Sequence, residues 1–468
     1  MSSSAGGRLR FGSASLAGNR RIAKTREQWR ERWLRGLGWT VAIGSFAYII
    51  MGIPAFAPSP DDVVAVTDVA ANQVSPIHRM IWIALFLLSS PILWARRRDL
   101  IRLLLASWPL MVISAWFVAS AFWAIDPASS ERRVLLHLVL IGVMAAPLLA
   151  LRDVRKIHFA LAIICTVTAV MNLGALAVAH SASMSDLGFT GLFPQKNVTG
   201  MVMMISFLVT VSAGSMVQGN LYRLMFWGGA TVAFGLLLLT RSSTSTSLAL
   251  VGLVVMGVIA ALNRLEPKLV RSGLIFAGLM LILAVLGYDA GCAMLNVDPF
   301  APLKGVTFTQ RTDIWTFEWG AILKRPWFGY GFGSFWSIDP AIQPSYKATG
   351  WFANPSAGIN QGHDGYLDIL ATTGLVGLML TLVVFGRALF VAWRLVEYVA
   401  ARRRTGQANS GTPIVPLFIL AMLVVTLIHN VTESTLFADN GALGQIFVYM
   451  VLVLEWANLS IKPAAPAR

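Results

Sequence analysis

The sequence predicts an all-α polytopic membrane protein of about twelve transmembrane helices, with one large loop between spans nine and ten. Three observations carry this. The 468 residues are 56% hydrophobic and only 13% charged, more apolar surface than a soluble domain of this size can hide. Apolar runs of about 18 residues or more, each long enough to cross a ~30 Å hydrocarbon core, recur along the chain. These runs are continuous rather than alternating, which argues against a β-barrel.

The spans fall near residues 37–57, 78–95, 101–123, 134–150, 157–178, 197–214, 222–240, 245–262, 270–288, 365–393, 413–430 and 440–459. Orientation follows from the basic residues. With the N-terminus inside, RRIAKTREQWRERWLR, RRRDLIR, LRDVRK, NRLEPKLVR and ARRRTG all lie on one side. That side holds about 27 of the 37 Lys and Arg, the asymmetry that sets topology during insertion. The net charge of +15 is thus mainly a topology signal that also favours anionic lipid, and no nucleic-acid partner is expected. The chain divides into a basic cytoplasmic segment (1–36), nine spans (37–288), an exterior cap loop (289–364), three spans (365–459) and a tail (460–468). The basic segment, with Trp29 and Trp33 among its arginines, suits an interfacial amphipathic helix. The cap is long and aromatic, so an ordered, functional loop with short helices is expected, one of them around RTDIWTFEWGAILK. Cys165 and Cys292 give no disulfide framework, and no zinc-type spacing exists.

About ten basic residues stand on the outer side against the general trend: Arg79, Arg132, Arg133, Lys196, Arg241, Lys304, Arg311, Lys324, Arg325 and Lys347. Those at span ends either snorkel to water or meet an anion. Several together beside small polar residues suit phosphate, which guanidinium groups bind bidentately. His363 and Asp364 stand where the cap re-enters the bilayer. The plain reading is a surface histidine before an Asp364 N-cap; the other is a reactive imidazole. Glu433, in TESTLFADN between the last two spans, either pairs with an outward arginine or takes part in chemistry. A metal site lacks a second histidine near Asp364 and Asp368, and no G-x-S-x-G elbow marks a hydrolase. The aromatics Trp315, Trp327, Tyr330, Phe335, Trp336 and Trp351 either pack the cap or offer faces to sugars.

These pieces resemble the O-antigen ligase and Wzy-type polymerase superfamily, and within it the ExoQ-like exopolysaccharide polymerases. The resemblance rests on FTGLFPQKNVTGM (189–201), LLTRSSTSTSLALV around Arg241, FTQRTDIW (308–315), RPWFGYGFGSFW (325–336), GHDGYLDILATTGLVGL (362–378) and NVTESTL (430–436), in that order. It implies a bacterial inner-membrane glycosyltransferase with both termini cytoplasmic and a site facing the periplasm. It implies metal-independent transfer with no cofactor, between undecaprenyl-diphosphate-linked donor and acceptor, alongside a flippase and chain-length or export proteins; direct displacement predicts inversion, whereas a double displacement needs a carboxylate nucleophile such as Glu433 or Asp313. The family histidine maps onto His363 and its loop arginine onto Arg311; the membrane-border cations map onto Arg241, Lys196 and Arg133. Asp364, Glu433 and Asn197 are candidate supporting residues. The family often has Asn where Asp364 stands. Polymerization of exopolysaccharide repeat units is the leading reading. An O-antigen ligase acting on lipid A–core is the alternative within the family. A transporter is the alternative of another class; the spans carry few mid-depth charges and show no internal repeat, which speaks against it.

Overall fold

The computed structural model describes residues 12–52, 76–262, 272, 311–354, 357, 359–404, 414–437 and 441–461. The helices are α1 (Gly12–Met51), α2 (Pro76–Ala95), α3 (Arg97–Ala106), α4 (Trp108–Ser120), α5 (Pro127–Leu151), α6 (Val154–Val178), α7 (Lys196–Met216), α8 (Asn220–Leu239), α9 (Ser243–Leu262), α10 (Arg311–Ile322), α11 (Gly365–Arg404), α12 (Ile414–His429) and α13 (Ala442–Leu459). A two-residue hairpin, β1 (Met184–Ser185) against β2 (Gly188–Phe189), is the sole sheet among the described residues. Nine of the described helices are long and apolar enough to cross a membrane, ten if α3 with α4 counts as one bent span. The protein is an all-α polytopic membrane protein. The span expected at 270–288 and the cap segment 289–310 lie outside the described residues, apart from Ser272.

The third expected span, 101–123, is not one straight helix. The chain bends by 88° between α3 and α4. Pro109 explains the break: it has no N–H to give back to residue 105, and it stands in the first turn of α4, where no N–H is needed. Only α4 with the 3-10 turn Ala121–Trp123 continues the span. At the first span, α1 runs unbroken through the basic segment, so its ~60 Å length exceeds the ~30 Å hydrocarbon core. Arg96 pairs with Glu31 where α1 passes the end of α2.

Sequence signals explain the tight connections. Asp126 caps α5, accepting Ser129 N at 3.0 Å, and Pro127 opens the helix. Asp153 caps α6 through Lys156 N at 3.1 Å. Between them Arg152 takes a left-handed conformation (φ 55°) and pairs with Asp99 at 2.5 Å. α5, α7 and α13 form the centre of the bundle, with 78%, 83% and 78% of their most apolar stretches buried; α2, at 22%, lies on its rim.

Contacts sort the connections onto two ends. The end of α6 and the start of α7, the α4–α5 corner, the cap and residues 430–437 share one end, here the site end. Arg96, Asp99, Arg152 and Arg155 group at the other. The cap is stitched to the site end by two seams. At the α4–α5 corner, Ile125 N donates to Tyr330 O (3.1 Å), Phe332 N to Ser120 Oγ (2.9 Å) and Asp126 N to Ser334 Oγ (2.7 Å). Arg133 donates to the carbonyls of Gly333, Trp336 (3.0 Å) and Ser337 (2.9 Å).

The second seam is a break in α11 at Gly374 (φ 70°, ψ −174°). RPWFGYG docks into it. Tyr330 N and Gly331 N donate to Ala371 O (2.9 Å) and Thr372 O (2.7 Å), and Leu375 N donates to Pro326 O (2.8 Å). Trp116 Nε1 donates to Thr373 O at 3.0 Å. Breaking a helix in a bilayer is tolerable only where protein re-satisfies the freed backbone groups, and this loop does so. A Cβ at Gly374 would collide with the carbonyl of Trp327. Gly374→Ala should therefore cost about 1–3 kcal/mol and lower the thermal unfolding midpoint in detergent. Gly235→Ala, where a Cβ meets nothing, should leave the midpoint unchanged or raise it.

Candidate functional site

The site forms where α10, the start of α11 and the loop after α12 meet. Arg311 is the first residue of α10, the helix expected in the cap. Its Nη2 donates to Glu433 Oε1 at 2.8 Å, and its Nη1 donates to the carbonyl of Thr432. The other carboxylate oxygen, Glu433 Oε2, lies 3.1 Å from His363 Nδ1. One carboxylate thus bridges the arginine and the histidine. The side chains of Arg311, Glu433 and His363 are 18%, 17% and 24% exposed, so water screens them only partly. Gln361 Nε2 lies 3.3 Å from the same His363 nitrogen.

Local structure holds each member. Asp364 is the N-cap of α11, its Oδ1 accepting Tyr366 N (2.9 Å) and Leu367 N (3.0 Å). Burial pushes the Asp364 carboxyl up, against the pull of those two N–H bonds. His363 just before it has φ 56°, a left-handed conformation that is uncommon for a residue with a Cβ and carries a strain cost. Gly362 behind it is held at both polar groups, its N–H by Asp368 and its carbonyl by Trp315 Nε1 (3.0 Å). Gly365 N donates to Asn430 O at 2.8 Å. Asn430 also folds the loop that carries Glu433, its Oδ1 accepting Thr435 N (2.9 Å) and Leu436 N (3.1 Å).

The electrostatics follow from this geometry. Burial raises the Glu433 carboxyl, but the His363 hydrogen bond and the charges of His363 and Arg311 outweigh it and hold the group below the usual glutamate range. Donation from Nδ1 to the Glu433 carboxylate leaves Nε2 as the acceptor nitrogen of a neutral imidazole. Glu433 pairs with the arginine through one oxygen, and through the other it can stabilize an imidazolium.

The other sequence candidates form a second group. Lys196 starts α7 and donates to Leu187 O at 3.1 Å; Arg241 (φ 52°) follows α8, with its Cβ close to Gly188. Both therefore border the β1–β2 hairpin. Asn197 is exposed beside Lys196. Gly252 of α9 packs against Val425 of α12. Arg133 is occupied differently: it anchors the cap through three carbonyls. Among the aromatics, Phe335 and Trp336 are core of the cap with Ile314, Ile322 and Phe352. Trp327 is exposed. Among the described residues, no group of three His, Cys, Asp or Glu is placed to hold a metal.

Sequence reasoning missed Gln361, the structural part of Asn430, and Glu318, a buried partner of Asp368. Glu318 lies seven residues after Arg311, two helical turns along the same face, and that spacing was the available signal.

Residues 228–382, from α8 through the cap into α11, match the family model of the O-antigen ligases. The match covers about a third of the chain, and over that stretch the protein is similar to the O-antigen ligase and Wzy-type superfamily. A search of curated proteins returns no match. The matched stretch holds Arg241, Arg311 and His363, while Glu433 is brought to it from α12's loop by folding. This domain, set in an apolar helical bundle, supports in general terms a membrane enzyme that joins glycans.

Glu433→Gln should unlink Arg311 from His363 and destabilize the protein by about 1–3 kcal/mol near neutral pH. Because the carboxyl is held below its usual range, its contribution is present above the ordinary glutamate pKa and is lost as pH falls through the depressed folded value. The difference in thermal midpoint between wild type and Glu433→Gln should close on acidification.

Proposed function

We propose that the protein polymerizes polyprenyl-diphosphate-linked oligosaccharide repeat units into exopolysaccharide at the outer face of a bacterial inner membrane. The observation that carries this reading is the Arg311–Glu433–His363 chain at one end of an apolar bundle. A hydroxyl nucleophile needs an acceptor for its proton, and a departing diphosphate needs fixed positive charge. The site supplies both within one carboxylate's reach.

In this reading His363 Nε2 takes the proton of the acceptor hydroxyl as that oxygen bonds to the donor's anomeric carbon. The bond from that carbon to the diphosphate oxygen breaks, and polyprenyl diphosphate leaves with the electron pair. Direct displacement inverts the anomeric configuration. Glu433 holds the imidazole by Nδ1 and stabilizes the imidazolium. Arg311 uses two of its five N–H groups in the contacts above; the rest serve the diphosphate. Lys196 and Arg241 extend the cationic border, beside the N-termini of α7 and α9, which favour anions as well. Arg133 serves this reaction by anchoring the cap, and Asp364 by capping α11.

The acceptor separates a polymerase from a ligase. RPWFGYGFGSFW closes the α11 break and NVTES presents Glu433, roles that suit either acceptor; the choice of polymerase rests on the resemblance of these motifs to ExoQ-like chains.

Reconstitution with lipid-linked repeat units in EDTA should yield longer glycans and released polyprenyl diphosphate. His363→Ala and Arg311→Ala should each lower turnover by about 100-fold or more. Full turnover by both variants, correctly folded, would remove the site assignment. Productive transfer to lipid A–core in place of a second repeat unit would make the enzyme a ligase, and movement of substrate without a new bond would make it a transporter.

A further inference from the structure

Behind His363 the fold holds two carboxyl groups, one buried and one half-buried, that the reaction above does not use. Glu318 comes from α10 and is fully buried; Asp368 comes from the first turn of α11. Both point at one indole. Trp336 Nε1 lies 2.7 Å from Asp368 Oδ1 and 3.4 Å from Glu318 Oε1. Asp368 also accepts the Gly362 N–H with both oxygens, at 3.1 and 3.2 Å. A Cβ on Gly362 would run into Glu318 Oε2 and Asp368 Oδ1 together, so the carboxyl groups close over this residue from one side. Trp315 holds its carbonyl from α10.

The charge count does not work with both groups ionized. Among the described residues no Lys or Arg pairs with either carboxylate. Glu318 Oε2 is buried and receives no donor from any backbone or indole N–H. A buried carboxylate in that state costs several kcal/mol. One proton between the two acids removes the problem, because it gives Oε2 a use and leaves a single negative charge. That charge belongs on Asp368, which accepts the Gly362 and Trp336 N–H groups at the N-terminus of α11. Burial, and then the charge of Asp368, pushes the Glu318 carboxyl well above its usual range; Asp364, the third carboxyl facing the pair, acts in the same direction.

We propose that Glu318 and Asp368 share one proton, and that this acid–carboxylate pair is the positioning device that clamps the Gly362 peptide and so aims the His363 imidazole. The pair touches no reacting atom. It acts through Gly362, the residue before His363, whose left-handed backbone needs external support. The inference rests on His363 as the proton acceptor proposed above only for its effect on turnover.

The test uses the full chain in lipid bilayers with three readouts. Difference infrared spectra should show a protonated carboxylic acid at neutral pH in wild type and its loss in Glu318→Gln. Ring nitrogen spectra of labelled histidines, with the His363 signal assigned by His363→Gln, should show that signal displaced in Glu318→Ala and Asp368→Asn and restored in Glu318→Gln, whose amide still donates to Asp368. Turnover should fall about 10- to 100-fold in kcat, with KM little changed, in Glu318→Ala and Asp368→Asn. Glu318→Gln should recover most of it. Absence of the acid band in wild type overturns the shared proton. An unmoved His363 signal in Glu318→Ala, or a loss in Glu318→Gln as deep as in Glu318→Ala, overturns the positioning role. If wild type joins no glycans at all, the proposed function fails, while the two spectroscopic readouts still decide the pair.

Discussion

The bridge made by the Glu433 carboxylate is the interaction on which the site depends. Arg311 and His363 are 52 positions apart, and Glu433 lies a further 70 along the chain. No local preference brings them together. A partly buried carboxylate with a cation on one oxygen and an imidazole on the other fixes three separate segments, α10, the turn into α11, and the loop after α12. In the proposed reaction it also sets the tautomer, with the ring nitrogen that faces Glu433 holding the proton and the opposite one accepting. Elsewhere at the site end, Phe332 from the cap and Phe437 from the α12–α13 loop pack onto Phe117 and His137 in the bundle.

A second constraint comes from the membrane. Backbone groups freed by the α11 break at Gly374 must find partners within the protein, and the cap segment 326–331 supplies them. This turns a potential weakness into the attachment of the cap. The first ten residues of α11 are thereby gripped at both ends: by Asp364 and Asn430 at the start, and by Tyr330, Gly331 and Trp116 at the break. His363 precedes this short rigid piece, so its position is set by packing rather than by the rest of the long helix.

The basic residues divide by job. Those at the far end tie helices to one another, as Arg96 with Glu31 and Arg152 with Asp99 do. At the site end, Arg133 is spent on cap carbonyls and Arg311 on Glu433, while Lys196 and Arg241 flank a hairpin at the surface. A charge at a span end is therefore no single signal. Its meaning depends on whether folding gives it carbonyls, a carboxylate or open water, and nothing in the neighbouring residues distinguishes these outcomes.

The chain by itself determined the class of molecule, most of the span positions, the short helix at Arg311, and the residues His363, Arg311 and Glu433 as candidates. Those features are local: hydrophobic run length, alternating basic connections, and an Asp cap before an apolar run. Pro109 is equally visible, yet the apolar run around it reads as a single span where the helix bends by 88°. Tertiary structure alone decided that Glu433 joins the arginine to the histidine, that Arg133 anchors the cap, and that Glu318 meets Asp368. Each of these depends on which buried polar group is left needing a partner after the helices pack. That demand is set by burial and by contacts between distant segments, and a linear pattern does not contain it.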